Sequence, residues 1–254
     1  GIPASSSGLN DIGASSWSDR ASVPAHRGGA VPRGPRSHPA VRRRSGEVLD
    51  ELRLRHPRRA AHPELAERIE AATGVFITGG NQLKLGQLLV GTPVHDAIRR
   101  AYDRGVVVSG TSAGASVLSR YMISMGEEGI SPRQRTSQLT AGLDLLPGVI
   151  IDQHFEQRTR YARLLSLVAA SPSLLGVGID EDTAAEIVNE RTLTVVGSGS
   201  VYVVDGRGAV TDAHEARRDA PLLVSGATVH SLPYGATCGL VDVRLPDVVG
   251  RPPE

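Results

Sequence analysis

Two short apolar strands, each running into a glycine-bearing turn, constrain this chain most. Val75-Phe76-Ile77-Thr78 leads into Gly79-Gly80-Asn81-Gln82, and Val106-Val107-Val108 leads into Gly110-Thr111-Ser112-Ala113-Gly114. Between them Thr92 and Pro93 read as an N-cap and first helical residue of a helix that runs through Ala97, Ile98 and Ala101 and stops at Gly105. Strand, helix, strand at this spacing is a βαβ unit, which requires parallel strands and a right-handed crossover. Both turns then lie at the carboxyl edge of one sheet, where open α/β proteins place their ligands.

Further along, Val149-Ile150-Ile151 reads as a strand, Arg160 to Ala170 as a helix through Tyr161, Leu164, Leu165 and Val168, and Leu175 to Ile179 as another strand. A helix is expected from Ala113 to Met122, followed by a polar loop to about Thr140. Short strands at residues 185–188, 192–196, 201–204 and 227–232, separated by glycine-containing turns, predict an antiparallel β section near the C-terminus. The fold class is α/β. Residues 1–60 are dominated by Ser, Gly, Pro and Arg and show no sustained apolar pattern before Val48, so the domain is expected over 61–254, with a disordered or atypical segment before it. Pro63 opens a short amphipathic helix carrying Leu65, Ile69 and Ala72.

Composition narrows the function. Lys and Arg number 28 against 27 acidic residues, a net charge of +1, which gives no global case for nucleic acid or an anionic membrane surface. Aromatic residues make up 3% of the chain, too few for base-stacking platforms. A single cysteine, Cys238, excludes an internal disulfide and a multi-cysteine metal site and points to a reducing compartment, the cytoplasm. No run approaches the roughly 18 to 20 apolar residues of a membrane helix.

Gly110-Thr111-Ser112-Ala113-Gly114 fits the G-x-S-x-G elbow, with a strand before it and a helix after it. Such a turn exposes the serine hydroxyl, and the small neighbours let the chain reverse without covering it. The N–H of Ala113 and the Gly79-Gly80 loop, through Gly80, are candidate oxyanion donors. An elbow serine can also merely cap the helix behind it. Serine needs a base, and His154 ends the Val149 to Ile151 strand in Asp152-Gln153-His154-Phe155. A carboxylate should fix the imidazole tautomer, and Asp180-Glu181-Asp182 at the end of the next strand offers three candidates. The order Ser, His, acid differs from the Ser, acid, His order of the α/β-hydrolases. Arg158, Arg160 and Arg163 crowd the following helix start, where cations oppose the dipole, and so suggest forks for a substrate carboxylate.

These segments, with the Gly-Thr-Ser-Ala-Gly-Ala run at 110–115 and Gly178-Ile179-Asp180-Glu181, resemble the cyanophycinases, a serine peptidase family that also includes aspartyl dipeptidases. The resemblance covers roughly residues 62–245. It implies Ser112 as nucleophile, His154 as base and Glu181 as the carboxylate, with substrate-pocket roles for Gln82, Asp152, Gln153, Arg158, Arg160 and Arg163. It further implies a class I glutamine-amidotransferase-like, flavodoxin-like fold with a mostly parallel sheet flanked by helices, no cofactor or metal, and a homodimer. The family substrate is arginine-decorated polyaspartate, cut to β-aspartyl-arginine dipeptides. Position 81 is Asn where the family more often has Asp, and the family's opening strand, Gly-Gly turn and helix are not visible in residues 1–60.

Overall fold

The computed structural model describes residues 11–15, 49–54 and 56–243. In chain order the elements are β1 (Asp11–Ser15), β2 (Leu49–Arg53), α1 (Pro57–Ala60), α2 (Pro63–Glu70), β3 (Gly74–Ile77), α3 (Gln82–Leu89), α4 (Pro93–Asp103), β4 (Val107–Gly110) and α5 (Ala113–Ser116). Then follow β5 (Tyr121–Gly126), β6 (Ser137–Ala141), β7 (Val149–Gln153), α6 (Tyr161–Ala170), β8 (Leu175–Ile179), β9 (Thr183–Val188), β10 (Thr192–Gly197) and β11 (Val201–Asp205). The last are β12 (Val210–Thr211), β13 (Val224–Ser225), β14 (Thr228–Leu232) and β15 (Thr237–Gly239).

The expected βαβ unit is present: β3 and β4 pair in parallel, with Gly74 opposite Val107 and Ile77 opposite Gly110. The crossover helix α4 begins as its sequence dictates, Thr92 Oγ1 accepting from His95 N–H with Pro93 in the first turn. Its apolar stripe of Val94, Ala97, Ile98 and Ala101 is fully buried against the core formed with Ile69, Val75, Ile77 and Leu89. A second parallel pair, β7 with β8, sets Gln153 opposite Ile179. Here β8 continues antiparallel into β11 and β14, and β9, β10 and β15 form a separate antiparallel sheet.

Several expectations need correction. Antiparallel pairings outnumber parallel ones among the described residues, so the sheet system is mixed rather than mostly parallel. The helix after the elbow ends at Ser116 instead of reaching Met122. Its continuation is blocked because the carbonyls of Val117, Leu118 and Arg120 accept from Leu143, Leu145 and Gly142 N–H groups, which removes the acceptors a further turn would use. The stretch expected as a loop contains the β5–β6 hairpin, with a register shift between Ile123 and Met125. Before residue 60, β1 pairs with both β2 and β3, and Leu52 and Leu54 are buried in the first core. Residues 1–10, 16–48 and 55 of that segment lie outside the described residues.

Candidate active site

Ser112 sits between β4 and α5 with φ 54° and ψ −120°, a conformation an L-residue holds only when its surroundings force it, at about 1–3 kcal/mol. Close backbone packing supplies that force. A Cβ on Gly114 would fall on the Ile77 carbonyl and lie 2.8 Å from the Thr78 oxygen, and one on Gly110 would reach Ala115 N at 2.8 Å. Only hydrogen fits at these two points, so the turn is held by the approach of main chain to main chain. The Ser112 side chain makes no capping bond to α5, which removes the reading in which it serves only the helix. Its Oγ lies 2.9 Å from His154 Nε2 instead.

His154 follows β7, also at a positive φ of 50°. Its Nδ1 is 3.0 Å from Glu181 Oε1, at the end of the neighbouring strand β8. Pairing Gln153 with Ile179 in register is what brings these two strand ends level. Of the three adjacent acids it is Glu181 that meets the imidazole, while Asp180 is buried and accepts from Glu156 N–H and Ser200 N–H. The Gly79-Gly80 loop, Gly80 at φ 141°, stands beside the serine: a Cβ on Gly79 would lie 3.0 Å from Ser112 Cβ and 3.4 Å from its Oγ. Ala113 is the first residue of α5, so its N–H has no acceptor within the helix.

Beneath His154 lies a buried polar cluster. Asp152, with no exposed surface, accepts from Arg163 Nε at 2.6 Å and is also bonded by Arg163 Nη2. Arg160 Nη1 donates to the Gln153 carbonyl at 2.7 Å and to Gln153 Oε1 at 2.9 Å, and Gln153 Nε2 reaches Ser116 Oγ at 3.4 Å. The expected outward forks are therefore turned inward at Arg160 and Arg163, and both share one protein carboxylate. Arg158 is exposed, and Gln82 spends its amide N–H on the Ile123 carbonyl at 2.7 Å, tying α3 to β5. Among the described residues no group of His, Cys, Asp and Glu could hold a metal ion, and no helix is long and apolar enough to cross a membrane.

The chain matches peptidase family S51 over residues 41–195. It belongs to that family. The match starts ahead of the boundary expected at residue 60, and so takes in β2. Proteins named cyanophycinase from Trichormus variabilis and from a Nostoc species are each 41% identical over 191 residues, covering 74% of this chain and 63% of the relative. One from Geminocystis herdmanii is 41% identical over 171 residues, 66% of this chain and 63% of the relative. This chain thus spans less than two thirds of the length of the curated relatives it matches. The crystal structure of a peptidase from an acI-B1 Actinobacterium is similar with a TM-score of 0.50 at 24% identity, covering 70% of this chain and 67% of that one, and the likeness speaks to fold.

The electrostatics around His154 suit base chemistry. Burial lowers the His154 pKa from its ordinary 6.5; the Glu181 hydrogen bond opposes that, and the Arg158 and Arg160 charges add to it. The imidazole is then neutral at pH 7, with Nε2 able to take a proton from the hydroxyl beside it. Burial, with the Arg163 charge, pushes the Arg160 guanidinium down to about 10. Behind His154 the rings of Phe155, Tyr161 and Tyr202 pack with centroids 4.6 to 5.3 Å apart, and Gly178 is small because a Cβ there would lie 2.5 Å from the Phe155 ring. Sequence reading missed Ser116 and Gln157, neither of which carried a signal; Gly79 and Asp180 were named, as part of the turn facing the elbow and as one of three acids, without the packing and positioning contacts they make.

Proposed function

We propose that this chain carries the site of a serine exopeptidase that hydrolyses cyanophycin, releasing β-aspartyl-arginine dipeptides. The observation that carries the reading is the continuous hydrogen-bonded series from Ser112 Oγ through His154 to Glu181, at 2.9 and 3.0 Å. In this reading His154 Nε2 takes the Ser112 proton as Oγ attacks the scissile carbonyl. Glu181 holds Nδ1–H and stabilises the imidazolium that forms. N–H groups of Gly80 and Ala113 receive the oxyanion. The imidazolium then returns its proton to the leaving amine, and water, deprotonated by the same imidazole, cleaves the acyl ester.

Substrate choice rests on charge. Arg160 and Arg163 share the fully buried Asp152, and Arg160 also faces Glu128 at 3.9 Å; with the charge of Arg158 nearby the cluster still keeps a positive excess, and Arg160 Nε is buried with no hydrogen-bond partner among the described residues. Buried cations of this kind favour a carboxylate from outside, and every dipeptide unit of cyanophycin presents one on its arginine. Gln82 and Arg158 would line the same pocket, with Gln153 and the buried Asp152 behind them. The reading extends to a glutamine-amidotransferase-like, flavodoxin-related core, a peptidase domain over 61–254 with β2 packed into it, a homodimer and a cytoplasmic setting, with no nucleic acid or cofactor. Incubation with purified cyanophycin tests it: the chain releases β-aspartyl-arginine detectable by mass spectrometry, and Ser112→Ala releases none. A folded chain that releases no dipeptide from the polymer, yet cleaves short Asp-containing peptides, would move the assignment to the aspartyl dipeptidase type.

A further inference from the structure

The contact between His154 and Glu181 joins two partly exposed side chains, with 22% and 30% of their surfaces open to solvent. A single hydrogen bond in that setting contributes only about 1 kcal/mol. The backbone on both sides works against it. His154 and Asp182 each hold a positive φ, 50° and 55°, which costs a non-glycine residue on the same order. The pair therefore cannot be kept aligned by its own bond, and something beside it has to hold both turns.

The surroundings supply that in reciprocal form. Phe155 N–H donates to the Ile179 carbonyl at 3.2 Å, and Glu156 N–H donates to Asp180 Oδ1 at 3.0 Å, so the His154 turn is anchored to the Glu181 turn. In the opposite direction Glu181 N–H donates to Gln157 Oε1 at 3.0 Å. Asp180 is itself fixed: Oδ2 accepts from Ser200 N–H at 3.1 Å, and Asp180 N–H donates to the Ser200 carbonyl at 3.2 Å, at the entrance to β11. Its side chain is 5% exposed, and Gly199 leaves the room for it, since a Cβ there would lie 2.9 Å from Asp180 Cβ. The turn at 154–157 and the turn at 180–181 thus each lend the other an acceptor, one buried and one at the rim.

We infer that Asp180 and Gln157 are positioning residues for the peptidase reaction, forming a two-way clasp that aligns the His154 imidazole with Glu181. The inference rests on the peptidase reading above. Asp180 sets where the His154 turn lies, and Gln157 sets where the Glu181 backbone lies, so loss of either moves the carboxylate relative to Nδ1–H. A displacement near 1 Å at such a site costs about 100-fold in rate. Substrate binding uses other residues, so the loss falls on kcat with KM unchanged.

The test uses the full chain and follows the rate at which a serine-directed acylating reagent labels Ser112, alongside kcat and KM on cyanophycin. Gln157→Leu, at an exposed position that the fold tolerates, slows labelling and lowers kcat about 10-fold to 100-fold at unchanged KM. Asp180→Asn, which keeps one acceptor but turns a donor on the other N–H, does the same. In a Glu181→Ala background Gln157→Leu has no further effect, because it acts through Glu181; a contribution to stability alone would persist there in full. Labelling of Gln157→Leu at the wild-type rate, or an undiminished loss in the Glu181→Ala background, overturns the clasp. A wild type that does not label at all removes the peptidase reading and the clasp together.

Discussion

The two halves of the site are held in opposite ways. Around Ser112 the fixing elements are missing side chains: Gly79, Gly110 and Gly114 let main chain and serine approach to distances a Cβ would forbid. Around His154 they are added side chains: Asp152, Arg160, Arg163, Gln157 and Asp180 hold the turn from below and from the side. A nucleophile needs a strained backbone with nothing over it, and glycine packing gives strain without bulk. An imidazole needs a set orientation, which hydrogen bonds supply and steric contact does not. The two kinds of restraint should therefore fail differently when perturbed.

The largest effect falls in the polar half. Asp152→Ala leaves the Arg163 guanidinium buried without its carboxylate and Arg160 with only the rim carboxylate of Glu128, and urea denaturation should show a loss of about 3–5 kcal/mol. Next comes the glycine half, where Gly114→Ala drives a methyl into the Ile77 carbonyl and costs about 3 kcal/mol by the same measurement. Gly79→Ala separates strain from access: its new methyl meets Ser112 at 3.0 Å, so kcat/KM falls about tenfold while stability changes by less than about 1 kcal/mol. If Gly79→Ala unfolds the chain as Gly114→Ala does, the distinction between the two glycines is lost.

These contrasts were unequally legible in the sequence. The glycine half could be read directly, because G-x-S-x-G carries its steric demand in its own five residues, and Thr92-Pro93 announces the crossover helix. His154 could be placed from the apolar run before it. The inward turn of the arginines could not, since it depends on Asp152 on β7 meeting Arg163 on α6 across 11 positions; the clue was a carboxylate at the end of an otherwise apolar strand. The stop of α5 at Ser116 depends on partners at 142–145, far along the chain. The strand β2 and the residues after it did carry a signal, the alternation of Leu52 and Leu54 with Arg53 and Arg55, but it is short and stands at the end of a segment rich in Ser, Gly, Pro and Arg. The β5–β6 hairpin is irregular in register and buries the adjacent Met122 and Ile123, so its period of two is broken where it would have been counted.

The smallest expected effect sharpens the electrostatic side. In the proposed reaction the base must be neutral to act, so the acidic limb of kcat/KM follows the His154 pKa, which burial lowers from its ordinary 6.5. Arg158 is among the charges that lower it. Arg158→Gln removes that opposition to protonation, raises the His154 pKa, and moves the acidic limb to higher pH by less than about one unit. A limb that stays in place or moves to lower pH would show that Arg158 does not act on the imidazole.

The most direct test of the whole account is the pH dependence of Ser112 acylation by a serine-directed reagent, followed by intact-mass spectrometry in the wild type and in His154→Ala. One added label per chain is expected, located on Ser112, with half-maximal rate below pH 6.5 and labelling abolished in His154→Ala. Labelling at another residue, or a rate that His154→Ala leaves unchanged, would contradict it.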